Sequence, residues 1–266
     1  MGPSGGAATA PAAPAVPGAE GARCGIAASM AALCRAWRDA EGGAAAARPA
    51  ARAASAGNHG GVVALRPQLL AAELAGLAHA LVVALHSVRS VALLGAAVCD
   101  AGAQLGAEGP RRTVAALVFV VAQGDPLAFV ALECLRWLCV APAFRASVLE
   151  GDAVSVVSGA GLSAVMAVRG DSEPAATATA PATQAPATAT ARERLLLEQV
   201  VTLLCTLHEA EAARAANTML RARSLKLLMA VNQLALSREC LGRAARVAAA
   251  LRAYPTGRAY AARLKV

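Results

Sequence analysis

Apolar side chains recur at intervals of three and four along most of this chain, which predicts helices and no strands. The first stretch is short: Ile26, Met30, Leu33 and Trp37 share one face, with Arg35, Arg38 and Asp39 opposite. Pro67 is placed as the first residue of a helix, and Leu69, Leu70, Leu74, Leu77, Leu81 and Leu85 follow at helical spacing. Val88 to Cys99 continues as an apolar helix, which Gly102, Gly106 and Gly109-Pro110 break up. Thr113 to Gln123 is the next helix. Gly124-Asp125-Pro126 then predicts a sharp corner, where Gly ends one helix, Asp caps the next and Pro opens it. Leu127 to Val140 and Phe144 to Met166 complete the block, with Glu150-Gly151-Asp152 offering a turn inside the second. Glu193 to Ala213, Thr218 to Leu236 and Arg238 to Leu251 follow as helices, the last ended by Tyr254-Pro255-Thr256-Gly257.

Between these stretches the side chains are too small or too polar to build a core. Residues 1–22 are Ala, Pro and Gly with few large side chains, so they bury too little surface to offset chain entropy, and disorder is expected. Residues 42–61, ending in Asn58-His59-Gly60-Gly61, are expected to form a flexible joint. Residues 170–191 contain only Asp, Ser, Glu, Pro, Ala, Thr, Gly and Gln, the composition of a linker or inserted loop. Four segments result: 1–64, low-complexity with one short helix; 65–168, a helical block; 169–191, the linker; and 192–266, a basic helical block. The apolar fraction of 57% rests largely on Ala, and aromatics are only 3%. A core of Leu, Val and Ala suits close helix–helix packing and leaves no large open pocket.

The chain also resembles itself. A shift of 93 residues lays 131–157 on 224–250, so that Leu132 meets Leu225, Leu135 meets Leu228, Leu138 meets Val231 and Arg145 meets Arg238. A weaker shift of 39 lays Val91-Ala92-Leu93 on Val130-Ala131-Leu132, and a spacing near 40 is that of a two- or three-helix solenoid repeat. Within this pattern the stretch from Phe129 to Leu162, "FVALECLRWLCVAPAFRASVLEGDAVSVVSGAGL", resembles the armadillo repeat. That family reads as an Ala-Leu helix, a short turn, an Arg-led segment, a Gly and an apolar closing helix. The resemblance covers about one repeat well and two more weakly. It implies an all-α fold, a short α-solenoid of armadillo or HEAT type, and a non-enzymatic protein-binding scaffold. The alternative fold is an irregular helical bundle. Peptide-binding members carry an Asn ladder; Trp137 and Ala230 stand in that place, so the groove chemistry of nuclear-transport receptors is not implied.

Charge adds a candidate surface. The net charge is +8, and residues 192–266, with 13 basic and 5 acidic groups, carry all of it. Arg in place of Lys, beside abundant Ala, Gly and Pro, is the mark of a GC-rich coding sequence, so position is more telling than amount. Arg214, Arg221, Arg243, Arg246 and Arg252 are the candidate partner-binding residues. A positive face there would take an acidic protein, or, as the alternative function, nucleic acid or another polyanion. Only Tyr254 and Tyr260 could stack on bases, which weakens the single-stranded reading.

Little else points to chemistry. No Walker loop, Rossmann fingerprint or G-x-S-x-G is present, and Gly159-Ala160-Gly161 is no phosphate loop. His79 and His86 are seven apart, too far for joint zinc ligation. Neither an enzymatic activity nor a cofactor is expected. Seven scattered cysteines without a C-x-x-C point to a reducing, intracellular and mainly cytoplasmic setting. Residues 26–39 leave organelle targeting open, because acids are sparse there. The runs Val114–Ala122 and Ala80–Val98 are too short or too charged to span a bilayer, so no transmembrane span is expected.

Overall fold

Helix propensity and apolar spacing act together through nearly the whole molecule. The computed structural model describes residues 19–53, 60–88, 90–124, 127–170 and 185–264. Among these residues there are twelve α-helices and no strand: α1 (Ala19–Ala53), α2 (Gly60–His86), α3 (Val91–Gln104), α4 (Gly109–Ala122), α5 (Ala128–Leu138), α6 (Pro142–Glu150), α7 (Ala153–Gly170), α8 (Ala185–Ala210), α9 (Ala212–Arg221), α10 (Ser224–Val231), α11 (Arg238–Ala253) and α12 (Pro255–Leu264).

Their packing follows a period of three. Helix α1 lies on α4, α4 on α7, and α7 on α10. A second row runs α2, α5, α8, α11 in the same way, and in a third α3 lies on α6 and α6 on α9. The first two rows also pack against each other, pairing α1 with α2, α4 with α5, α7 with α8 and α10 with α11. Helix α12 closes the C-terminal end against α10 and α11. Leu132, Leu135 and Leu138 of α5 are fully buried, as is Phe144 of α6, whose ring lies against Gly102 of α3. Each such side chain contributes about 1.5–3 kcal/mol by leaving water.

Small and polar residues set the distance between stacked helices. Gly161 of α7 lies so close to α10 that a Cβ there would stand 2.8 Å from Leu227 Cδ2. One turn earlier the hydroxyls of Ser158 and Ser224, both fully buried, are 2.7 Å apart. At the other end Thr113 donates to the Gly109 carbonyl (2.9 Å), and Cys34 Sγ sits 3.1 Å from the same hydroxyl. Every buried hydroxyl named here has a partner, as burial requires.

Several expected boundaries shift. Helix α1 runs from Ala19 to Ala53, far beyond 26–39 and through much of the stretch read as a flexible joint. Ala favours helix strongly enough to carry Gly42 and Gly43 inside it. Ile26, Met30 and Leu33 are fully buried, so this segment belongs to the core. Pro67 lies inside α2 and does not open it, since a proline can be accommodated at the loss of one backbone bond. The predicted helix Thr218–Leu236 is broken at Arg223, which adopts φ +60°. Such a left-handed turn usually needs Gly, so no residue type signalled it. Pro255 opens α12 rather than ending the chain's helical part. Gly124, at φ +84°, turns the expected corner, while Asp125 and Pro126 lie outside the described residues. So do residues 1–18 and 171–184, which hold most of the predicted N-terminal disorder and linker; 185–191 belong to α8.

Two larger readings also change. The 93-residue shift superposes α5 on α10, yet α5 stands in the second row and α10 in the first. Both bury Leu at equivalent spacing, and that shared periodicity produced the match. The apolar runs weighed from sequence, Val114–Ala122 and Ala80–Val98, also leave out a longer one. Pro67–His86 is long and apolar enough to cross a bilayer, with a mean hydropathy of 1.8. Its only acid is Glu73, which interrupts the apolar run. Leu74, Leu81 and Leu85 of this helix are buried in the core.

Candidate functional site

The five candidate arginines divide between two helices. Arg214 and Arg221 lie on α9, which packs on α6, α7, α8 and α10; Arg243, Arg246 and Arg252 lie on α11, which packs on α8, α10 and α12. Arg214 is occupied: its Nη2 is 2.6 Å from Glu150 Oε1 and its Nη1 is 3.4 Å from Glu211 Oε2. Glu211 also lies 3.5 Å from Arg145 Nε, an ion pair without hydrogen-bond alignment. Arg145 Nη1 donates to the carbonyls of Cys139 (3.0 Å) and Val140 (2.8 Å), just past the end of α5. The series Arg145, Glu211, Arg214, Glu150 therefore ties α6 to α9.

On α11, Arg243 pairs with Glu239 at 2.7 Å. Arg246 follows three residues later, so the two are neighbours on the helix surface. Arg252 is nine residues from Arg243, half a turn around the helix. The buried residues Ala244, Val247 and Leu251 separate them. Arg221, Arg246 and Arg252 are exposed and have no ion-pair partner among the described residues. The structure thus brings Arg243 and Arg246 together and sets the other three apart.

A second cluster, in the row α2–α5–α8–α11, was not singled out from sequence. His86 Nε2 at the end of α2 is 3.0 Å from Glu133 Oε1 on α5. The His86 ring meets Trp137 edge-on at 5.6 Å, and the Arg136 guanidinium lies 4.8 Å from the Trp137 ring centre. Arg136 Nε and Trp137 Nε1 are buried atoms with no hydrogen-bond partner. Unmet buried donors are uncommon and costly, about 1–3 kcal/mol each. The signal available in the sequence was Trp137 standing where the resemblance places an Asn.

The remaining chemistry is subdued. Burial pushes the Cys139 and Cys205 thiols up to about 12 and Cys240 to about 11, and raises Cys134 further, with Glu133 adding to the effect. These thiols stay protonated at neutral pH, and a thiolate is what attacks or ligates. Among the described residues no group of three His, Cys, Asp or Glu side chains could hold a metal. A groove of about 380 Å³ is lined by Trp37, Val118, Phe119, Arg111, Glu150 and Asp152. No protein-family model, curated protein or solved structure matches the chain.

Proposed function

We propose that this chain is a non-enzymatic protein-interaction scaffold, built as a short α-solenoid of armadillo type. The observation that carries the reading is the period of three in the packing, with each of α1 to α8 seated on the helix three places along the chain. A three-helix unit stacked in rows is how a solenoid extends its core. The stretch 129–162 divides as the resemblance requires: α5, a turn at 139–141, α6 with Arg145, Gly151, then α7. Arg136 and Trp137, half-buried on α5 beside the exposed His86, are a cation and an aromatic ring of the kind that anchor protein interfaces, which supports α5 as a contact surface. The test is a photo-reactive residue placed at position 136, compared with one at the exposed Ala143. A discrete protein adduct at 136 alone supports the scaffold, and equal labelling at both positions contradicts it.

A polyanion-binding role for the C-terminal end is the second reading, favoured by the unpaired Arg221, Arg246 and Arg252. Each phosphate neutralised releases a counterion, so binding to nucleic acid would weaken steeply with salt. Salt-independent retention, or none at low salt, contradicts it.

A further inference from the structure

The groove shared by α1, α4 and the turn joining α6 to α7 combines an aromatic wall with uneven charge. Trp37 of α1 and Phe119 of α4 are both half-buried, with ring centres 5.4 Å apart and planes tilted by 54°. Val118 continues the wall on α4. Trp37 Nε1 donates to Glu41 Oε1 at 2.9 Å, which ties the indole to its own helix. The turn supplies Glu150 and Asp152, both exposed, on either side of Gly151.

The charges lining the groove do not cancel. Glu150 is engaged by Arg214 at 2.6 Å, and Arg111, the cation of the groove, by Glu108 at 3.6 Å. Asp152 has no ion-pair partner among the described residues. Elsewhere in the molecule the same residue types come with a cation. Arg136 lies 4.8 Å from the centre of the Trp137 ring and 3.9 Å from Glu133, so an indole and a carboxylate share one guanidinium. Among the described residues no cation lies over Trp37.

Tryptophan is the ring that attracts a cation most strongly. Arginine suits such a place best, because its planar, weakly hydrated head stacks on a ring and pairs with a carboxylate at once. Its apolar stem can cover a hydrophobic wall while the charge stays near water. The groove, of about 380 Å³, has the size of a small-ligand site and accommodates one such side chain.

We infer that this groove receives an arginine side chain from a partner polypeptide, with its stem on Val118 and Phe119 and its guanidinium against the Trp37 indole and the Asp152 carboxylate. Charge complementarity selects the occupant. An apolar side chain would leave Asp152 unused, and an acidic one would meet two carboxylates and a guanidinium that is already paired. The inference gives the scaffold reading a second contact surface, and it rests on that reading for the polypeptide nature of the partner.

The test is calorimetric titration of the whole chain with the end-blocked pentapeptide Ala-Leu-Arg-Leu-Ala and with its Gln and Glu counterparts. The Arg peptide should bind saturably and about tenfold more tightly than the Gln peptide. Trp37→Leu should weaken that binding about tenfold. Asp152→Asn, an exposed change that leaves the fold intact, should weaken it about two- to fivefold. Absence of saturable binding overturns the inference, as does equal binding of the Gln peptide. So does an Asp152→Asn chain that binds as the unaltered one does. Preference for the Glu peptide would assign the groove to acidic segments through Arg111 and equally overturn it. Adduct formation at position 136 reads a different face, so the two outcomes remain separate.

Discussion

The middle of the molecule, α4 to α8, and its C-terminal end, α9 to α12, obey the same stacking rule with different side chains. The middle buries Leu117, Leu132, Leu135, Leu138 and Phe144 completely, and its charged groups Glu133 and Arg145 have partners. The end buries Met219, Leu225, Leu227, Leu228 and Leu251 as completely, and carries Arg221, Arg246 and Arg252 exposed and unpaired. Burial free energy scales with apolar area, so both regions are held by their buried side chains and differ in the charge they carry outside. The difference teaches that the spacing of apolar residues determines how these helices stack. Charge is laid over the stack afterwards, as a staple between α6 and α9 and as free surface on α11.

The largest effects should therefore come from the buried apolar side chains. Leu135→Ala or Phe144→Ala should cost about 2–5 kcal/mol in denaturant unfolding, against under about 0.5 kcal/mol for Arg246→Ala. Similar losses at all three positions would erase the contrast between the two regions. Next comes the staple. Arg145→Ala leaves the Cys139 and Val140 carbonyls without their side-chain donor and should cost about 1–3 kcal/mol. Arg214→Ala breaks only exposed pairs and should cost under about 1 kcal/mol. A reversal of that order would mean that α6 and α9 are held chiefly by Arg214.

Buried thiols provide a smaller, graded comparison. A thiol whose folded pKa is raised holds its proton more tightly in the native state than in the unfolded one. Its contribution is full below the ordinary value of 9.0 and is lost as pH rises from there towards about 12 for Cys139 and Cys205. Each thiol should remove about 1.4 kcal/mol of stability per pH unit in that window. Cys139→Ala and Cys205→Ala should each flatten the alkaline slope, measured by unfolding at pH 9 and 10.5. An unchanged slope would mean that the thiols are reached by water.

Much of the fold was legible because helix periodicity survives an Ala-rich composition. The boundaries around Gly124, Gly151 and Arg238 follow directly from residue type. The break at Arg223 did not, since a left-handed backbone at a residue other than Gly or Asn is not signalled by residue type. Helix α12 was hidden because Pro255 both ends and begins helices. The candidate arginines were identified by charge and spacing, but sequence does not reveal which cations find a carboxylate on another helix. Glu150 and Arg214 are 64 residues apart, and only the stacking of α6 on α9 brings them together.

The central claim is that helices three places apart are stacked, and the pair α7–α10 allows it to be measured as a covalent bond. Ser158 and Ser224 are separated by 66 residues, and their hydroxyl oxygens lie 2.7 Å apart inside the protein. A disulfide requires Cβ atoms about 3.5–4.5 Å apart and a suitable dihedral, which two facing side chains at this separation can approach. With Ser158→Cys and Ser224→Cys together, mild oxidation of the folded chain should give an intrachain 158–224 bridge, identified by peptide mass mapping. Denatured chain treated alike should show no preference for that bridge over links among the native cysteines. Folded protein in which both introduced thiols stay free, with helicity unchanged, would contradict the three-place stacking.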